Sequence, residues 1–595
     1  MSTPDDGRRA LPDHRGGALG SDGLSGPVDG PDELDGPDQL DGLDELDGPD
    51  DSDDSDDELD SPDNPDSPDD GPGDGGARRR SGPAAGAAAR GHSAVDAEED
   101  AAAERYGDVE AALLDRWPEA RIDPTLDRIR LFCDVLGDPQ DAVPVIHLTG
   151  TNGKTSTSRM TETLLRGLGL RTGVFTSPHL QQLRERIAVD GRPLSRGRFV
   201  EVYDDVEAYL RLVDDRSAHR MSFFEALTGM AYAAFADTPV DVAVVEVGLG
   251  GTWDATNVAD GRVAVLTRID VDHAKLLGST PAQVATEKVG IIKAGAAVVS
   301  AHQLPEVDEV IDARVAEVGA TLYRAGRDVD IESRVVAVGG QLLTIRGIGG
   351  TYADLYLPLH GAHQAENALC ALVAAEAFFG GGSRPLRQDA VVDAFAVMSS
   401  PARLELVAHR PTVLLDAAHN PDGARATAAA LTEAFAFRRL VGVVAVMADK
   451  DAAGLLAPFA DVLDEVVVTE NSTDRSMAAE DLAELAEHVW PEAAVHLVPD
   501  LEEAITVARR LAQDGPPART LPDAAGGTAG VLVTGSVVTA GEARELLLGP
   551  DSIVGERPAD LKAAAAAAAA GEDPVEDGPD PVDGRHGDPY DGLGI

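Results

Sequence analysis

The sequence predicts a two-part α/β protein, with helices wrapped around parallel sheets and an acidic tail at either end. Three observations carry that prediction. Strand patterns that are apolar on both faces alternate with amphipathic helical patterns through the middle of the chain. The alternation breaks near 398–402, at Met398-Ser-Ser-Pro-Ala402, and starts again after Arg403. Acidic residues crowd outside this region: residues 1–90 hold 26 Asp and Glu against 7 Arg.

Residues 1–103 read as a disordered, low-complexity tail. Leu-Asp-Gly recurs at Leu34, Leu40 and Leu46, and Pro, Gly and Asp fill the rest. Such a stretch buries too little apolar surface to offset its ordering entropy, and its charges repel. Residues 104–398 form the larger half. Its strands are VPVIHLTG, VDVAVVEVG, RVAVLTRI and AAVVSA, with helices such as SRMTETLLRGLG and SFFEALTGMAYAAFA between them. This is a doubly wound layout. SRVVAVGGQLLTIRG reads as a hairpin with Gly339-Gly340 at its turn. Residues 399–550 hold PTVLLDAAHN, LVGVVAVM, EVVVTEN, AVHLVP and GVLVTGS, enough for a smaller Rossmann-like half. Residues 551–595 are a second disordered tail; its Ala563–Ala570 run is too short for a stable isolated helix.

Composition narrows the function. The 595 residues carry 105 acidic and 50 basic side chains, a net charge of −55. Neither nucleic acid nor an anionic membrane suits so negative a chain as a partner. No run of 18 apolar residues occurs, and the first residues lack an apolar signal core. Two distant cysteines, Cys133 and Cys370, fit a reducing cytoplasm.

The chemistry starts at HLTGTNGKTS, His147 to Ser156. A buried strand enters a glycine-rich turn, then Lys-Thr, then a helix. Amides at such a turn and helix start bind anions, which marks a variant phosphate loop of the P-loop ATPase kind. Lys154 reaches the outer phosphates, and the Thr155 hydroxyl is placed for Mg²⁺. Leu148 stands where the strict pattern has its first Gly. Only six lysines occur, at 154, 275, 288, 293, 450 and 562, against 44 arginines, so a Lys at this loop is a marked choice. The strand VDVAVVEVGLGG ends in Glu246, a carboxylate at the sheet's carboxyl edge where ligands bind. VAVLTRI runs on to Asp270, Asp272 and His273, and position alone leaves His273 equally a ligand or a structural histidine. Lys288 falls inside a helix, where a lysine is ordinarily on a solvated face.

Nine motifs occur in order: GTNGKTS, SPHL (177–180), SFFE (222–225), EVGLGGTWDATN (246–257), DVDH…EKVGIIK (270–293), HGAHQAENA (360–368), PARLE (401–405), LLDAAHNP (414–421) and TGSVVTAGEAR (534–544). Over about 105–550 the chain resembles folylpolyglutamate synthase/dihydrofolate synthase, within the Mur ligase superfamily.

The resemblance implies an ATP-dependent, ADP-forming amide ligase of two halves. It would add L-glutamate to tetrahydrofolate and to 7,8-dihydropteroate through an acyl phosphate. It implies that Gly150, Thr151, Asn152, Gly153, Lys154, Thr155 and Ser156 hold ATP, with Asn367, Arg403 and Asp416. Ser177, Glu246 and His273 match magnesium ligands, joined by Thr155, with two Mg²⁺ ions expected and room for a monovalent cation. Lys288 matches a lysine carried as a carbamate, a change that turns a cation into an anionic ligand. Lys154, Lys288 and His273 are therefore the catalytic candidates. Asp123, Ser222, Trp253, Asp254 and Ala255 match the pterin side; His419 and Ser536 match the glutamate side. A cytoplasmic monomer is expected.

The chain departs from the family pattern in places. Thr155 replaces a common Gly, Arg268 stands where Pro is more usual, and Lys275 sits two residues beyond His273. Val289 and Ala402 replace the usual Ala and Gly. No candidate ligand is lost. The competing readings are a Mur-type peptidoglycan-precursor ligase and a regulatory ATPase that forms no amide. SFFE, HGAHQ and SPHL argue against the first; no N-K-x-D base-reading motif supports a GTPase switch.

Overall fold

The computed structural model describes residues 103–118, 123–514, 527–550 and 552–553. The acidic tails and the octa-alanine run lie outside the described residues, except that residue 103 opens a helix over 103–114 and that Ser552 and Ile553, placed in the second tail by the sequence, lie against the fold, Ile553 buried.

The larger half is built on an eight-stranded sheet. Its strands are β1 (Val145–Thr149), β2 (Thr172–Phe175), β3 (Ile187–Val189), β4 (Arg192–Pro193), β5 (Val242–Glu246), β6 (Gly261–Leu266), β7 (Ala297–Ser300) and β8 (Thr321–Arg324). They lie in the order β4-β3-β2-β5-β1-β6-β7-β8. Six are parallel; β3 and β4 close one edge antiparallel. Central β1 is buried along its whole length. Ile146 and Leu148 point to one apolar layer with helices Lys154–Gly167 and Ala362–Phe378, and Val145 points to the other, with helix Phe223–Asp237. Two covered faces explain why these strands read as continuous apolar runs.

A second, antiparallel sheet of β9 (Asp330–Ala337), β10 (Gly340–Arg346) and β11 (Thr351–Leu357) packs its inner face on helix Ala362–Phe378. The expected hairpin is present, but its turn is Val338-Gly339, one residue earlier than the sequence suggested. Gly340 already pairs with Ala337. Its missing side chain has another reason: a Cβ there would stand 2.2 Å from the Leu357 carbonyl oxygen.

The third sheet contains β12 (Arg403–Ala408), β13 (Thr412–Asp416), β14 (Phe437–Val444), β15 (Glu465–Val468), β16 (Val495–Leu497) and β17 (Thr528–Thr534). The order is β12-β13-β17-β14-β15-β16, all parallel except edge strand β12. Helix Pro421–Ala434 lies in the layer on one face; helices Leu501–Asp514 and Val537–Leu548 lie on the other. The carboxyl ends of β1, β5 and β6 and of β13 carry the turns that meet between the two large sheets.

Candidate functional site

The phosphate loop forms because β1 delivers a buried strand straight into Gly150–Gly153 and the helix starting at Lys154. Gly153 adopts φ +89°, and a Cβ there would stand 2.4 Å from Asn367 Oδ1. Only glycine meets both demands. The loop is pinned from the β6 side: Thr151 and Asn152 amides donate to the Arg268 carbonyl (2.9 and 3.3 Å), and Thr267 Oγ1 donates to Asn152 O (2.7 Å). Lys154 Nζ folds back onto the Gly150 and Thr151 carbonyls at 2.9 and 3.1 Å, which holds the ammonium over the loop. Burial lowers its pKa, while Glu246 and Asp272 pull the other way. Ser156 is turned from the loop to Ser400 (2.8 Å).

Glu246 ends β5 beneath the start of this helix. Its Oε1 accepts the Thr155 hydroxyl at 2.9 Å; its Oε2 is buried with no hydrogen-bond partner. Burial pushes the carboxyl up to about 7, against the charge of Lys154 and hydrogen bonds from the Thr155 hydroxyl and the Ser177 amide. An orphaned carboxylate oxygen beside hydroxyls is a hard, oxygen-only donor set, which fits Mg²⁺. Ser177, at a cis bond to Pro178, lines the same cavity. Among the described residues, no three His, Cys, Asp or Glu side chains converge as a metal site.

Lys288 is not on a solvated helix face. It is 3 % exposed, and its Nζ donates to the Gly150 carbonyl at 2.8 Å. Burial, helped by Lys154, lowers its pKa well below the usual lysine range. His273 has φ +51°, and its Nε2 lies 3.5 Å from Lys450 Nζ. Its side chain is still 38 % exposed; its pKa is lowered to about 4 by partial desolvation and by Lys450 and Lys154, against the charge of Asp272. Lys450 itself donates to Asp272 at 2.7 Å, and His419 Nε2 lies 3.6 Å from the same carboxylate. Burial works against ionisation of Asp272, yet His419 and Lys450 hold it well below the usual carboxylate range. Lys275 is solvent-exposed.

These groups face one cavity of about 780 Å³ between the two large sheets. Gly150 to Ser156, Ser177, Glu246, His273, Lys288, Asn367, Arg403, Asp416 and His419 all line it. Asp416 spends its carboxylate on its own half, accepting from Leu404 N, Ala418 N and Thr427 Oγ1 at 3.0, 3.0 and 2.7 Å. Arg268, Asp272, His363 and Asp422 also line the cavity and were not among the candidates. The sequence offered a signal for three: Asp272 and His363 sit inside quoted motifs, and Arg268 broke the family pattern.

The pterin-side and one glutamate-side candidate do not line this cavity. Ser222 caps helix Phe223–Asp237 in a reciprocal box with Glu225. Glu225 and Asp123 both hold Arg128, at 3.1 and 2.6 Å. Trp253 packs in the apolar layer with Leu277 and Val284. Ala255 is in the layer behind β1. Ser536 caps the helix Val537–Leu548. Asp254 is buried and braces the glycine turn after β5, accepting from Leu249 N (2.9 Å), Thr256 N (3.0 Å) and Thr256 Oγ1 (2.5 Å). His147 extends that chain through Thr256 Oγ1 at 2.9 Å.

Burial pushes Asp254 up to about 6, above its usual 3.8. The folded state therefore binds more protons between those values, so this group's contribution to stability declines as pH rises from about 4 to about 6. Both its oxygens are nevertheless occupied by donors. Asp254→Asn would turn an amide NH₂ against one of them and is expected to cost about 1–3 kcal/mol in a denaturant melt at neutral pH. A gain in stability would show that the bracing bonds are worth less than the buried charge costs.

A model of the Mur ligase middle domain matches residues 148–375, and one of the Mur ligase glutamate ligase domain matches 402–537. The dihydrofolate synthase/folylpolyglutamate synthase of Mycobacterium tuberculosis is 48% identical over 455 residues, covering 74% of this chain and 93% of that one. The chain belongs to the dihydrofolate synthase/folylpolyglutamate synthase family. The folylpolyglutamate synthase of Lacticaseibacillus casei is 33% identical over 430 residues, 71% of this chain and 95% of the relative. Among solved structures of the family, the M. tuberculosis folylpolyglutamate synthase complexed with ADP superposes with a TM-score of 0.71 at 47% identity. It covers 75% of this chain and 99% of its own. A folylpolyglutamate synthase complex with AMPPCP and folate gives 0.61 at 31% identity, over 75% and 100%.

Proposed function

We propose that this chain is an ADP-forming ligase that adds L-glutamate to tetrahydrofolate and to 7,8-dihydropteroate. The observation that carries it is the cavity in which Lys154, Glu246 and Lys288 from one half face Arg403 and His419 from the other. Residues 104–398 then act as the ATP-binding half and 399–550 as the glutamate-ligase half. Solved relatives described as holding ADP, AMPPCP and folate support nucleotide and folate as ligands.

The residues suit the chemistry. A carboxylate is a poor electrophile until one oxygen becomes a leaving group. Its attack on the γ-phosphorus of ATP gives an acyl phosphate and ADP; the glutamate amine then attacks the acyl carbon, and phosphate leaves. With the Thr151 and Asn152 amides held by the Arg268 carbonyl, the Gly153 amide and Lys154 bind and orient the transferring phosphoryl group. Thr155, Ser177 and Glu246 would hold Mg²⁺, which supplies neutralising charge to the phosphates. His273 is a candidate for a second ion. Two halves around one cavity keep water from the acyl phosphate. Asp123, Ser222 and Asp254 serve the pterin side indirectly, by bracing the segments around it. Ser536 serves the glutamate side by starting a helix whose Val537 lines the cavity.

No helix of the described residues is long and apolar enough to cross a membrane. With Cys133 and Cys370 both free and buried, a cytoplasmic enzyme acting as a single chain is the reading we adopt. The test is ATP- and Mg²⁺-dependent incorporation of labelled L-glutamate, with 7,8-dihydropteroate and tetrahydrofolate offered separately. Incorporation into both is expected. Incorporation into tetrahydrofolate alone would restrict the activity to chain extension; incorporation into neither would overturn the reading.

A further inference from the structure

We infer that Arg268 is a positioning residue that clamps the phosphate loop to the C-terminal half and so presents the loop to ATP in its binding posture. The inference rests on the cavity being the ATP site. Arg268 acts on the loop twice. Its carbonyl accepts the Thr151 and Asn152 amides, at 2.9 and 3.3 Å. Its guanidinium Nε reaches across to Asp422 Oδ1 at 3.3 Å. The other oxygen of Asp422 accepts Asn152 Nδ2 at 2.9 Å, so one carboxylate joins the arginine to the loop's own side chain. Asn420 adds a reciprocal pair with Asn152, at 3.2 and 3.0 Å.

Two further charges complete the arrangement. Arg425 lies 3.2 Å from Asp422 and 3.9 Å from Asp270, and Arg268 is also 3.9 Å from Asp270. Two arginines and two aspartates thus alternate across the boundary, one of each from either half. Isolated pairs this exposed contribute little. Here the effect comes from geometry: Asp422 is 15 % exposed, and it is fixed by Arg268 at one oxygen and by Asn152 at the other. Without Arg268, the carboxylate keeps Asn152 but loses its anchor to the loop's supporting strand end.

The test is a double-mutant cycle on ATP affinity, measured by titration calorimetry with the full chain and thermal midpoints recorded alongside. Arg268→Ala is expected to weaken ATP binding by about tenfold and Asp422→Ala, which also frees Asn152, by at least as much; the double variant should bind no more weakly than Asp422→Ala, because the Arg268 linkage is already gone in it. Arg268→Lys keeps a cation within reach of Asp422 and is expected to recover most of the loss. The inference falls if folded Arg268→Ala binds ATP within about twofold of the wild type, or if the two effects multiply towards a hundredfold. It also falls if Arg268→Lys binds as weakly as Arg268→Ala. Binding needs no amide formation, so a wild type that binds ATP yet incorporates no glutamate would sink the ligase reading and leave the clamp standing.

Discussion

Replacing Lys288 by arginine is expected to lower glutamate incorporation by about a hundredfold to a thousandfold and to lower the thermal midpoint as well, because a permanently charged guanidinium is then buried beside Lys154. The reason is the state of the amine. Lys288 is buried under the phosphate loop, its Nζ bonds only a carbonyl, and burial together with Lys154 favours the uncharged form. An uncharged amine has the lone pair that attacks CO₂, forming a carbamate and releasing a proton. The product is an anion facing Lys154, so an electrostatic conflict becomes a pairing. Arginine stays protonated and cannot follow. Stripping CO₂ and bicarbonate from the buffer should therefore slow the wild type, and bicarbonate should restore it; Lys288→Arg should respond to neither. Wild-type turnover that ignores CO₂ would refute the carbamate, and an arginine variant retaining more than about a tenth of the activity would remove Lys288 from the catalytic set.

The phosphate loop was legible because its parts are contiguous: strand, glycines, lysine and helix follow within ten residues, His147 to Ser156. Glu246 was legible for a similar reason, as an acid ending an apolar strand. Lys288 was legible only through the family motif, because helix Pro281–Lys288 is too short for its pattern to reveal which side meets Gly150. Asp422 was further out of reach. It touches Asn152 across 270 positions of sequence, and only the closing of two sheets makes them neighbours. Ser222 shows the opposite difficulty. Ser-Phe-Phe-Glu is itself a capping-box pattern, and the structure uses it as one. A local job can be written in the same residues as a family motif, and the motif alone does not separate the cap from a ligand contact. The sheet order, with β5 and β6 flanking β1, is likewise a long-range result that no strand pattern encodes.

Glu246→Gln is expected to separate activity from stability. Mg²⁺ affinity, read from the metal dependence of turnover, should weaken by more than about a hundredfold, beyond the loss typical of groups that only support a ligand. In metal-free, nucleotide-free buffer the same variant should melt at a higher temperature than the wild type. Glu246 is buried, its Oε2 has no partner, and burial has already pushed its carboxyl up to about 7. A neutral amide costs less to bury than a carboxylate, and it keeps an oxygen for the Thr155 hydroxyl. Asp254 makes the contrast. It too is buried and raised, to about 6, yet donors occupy both its oxygens, so its amide variant should lose stability. Two buried carboxylates in one fold thus carry opposite expected signs. A satisfied one braces the chain. A carboxylate with an unpartnered oxygen costs stability unless a cation neutralises it, which is the behaviour expected of the proposed Mg²⁺ ligand. A lower melting temperature for Glu246→Gln in metal-free buffer would mean that Glu246 is a brace as well, and the oxygen donor set would have to be sought elsewhere in the cavity.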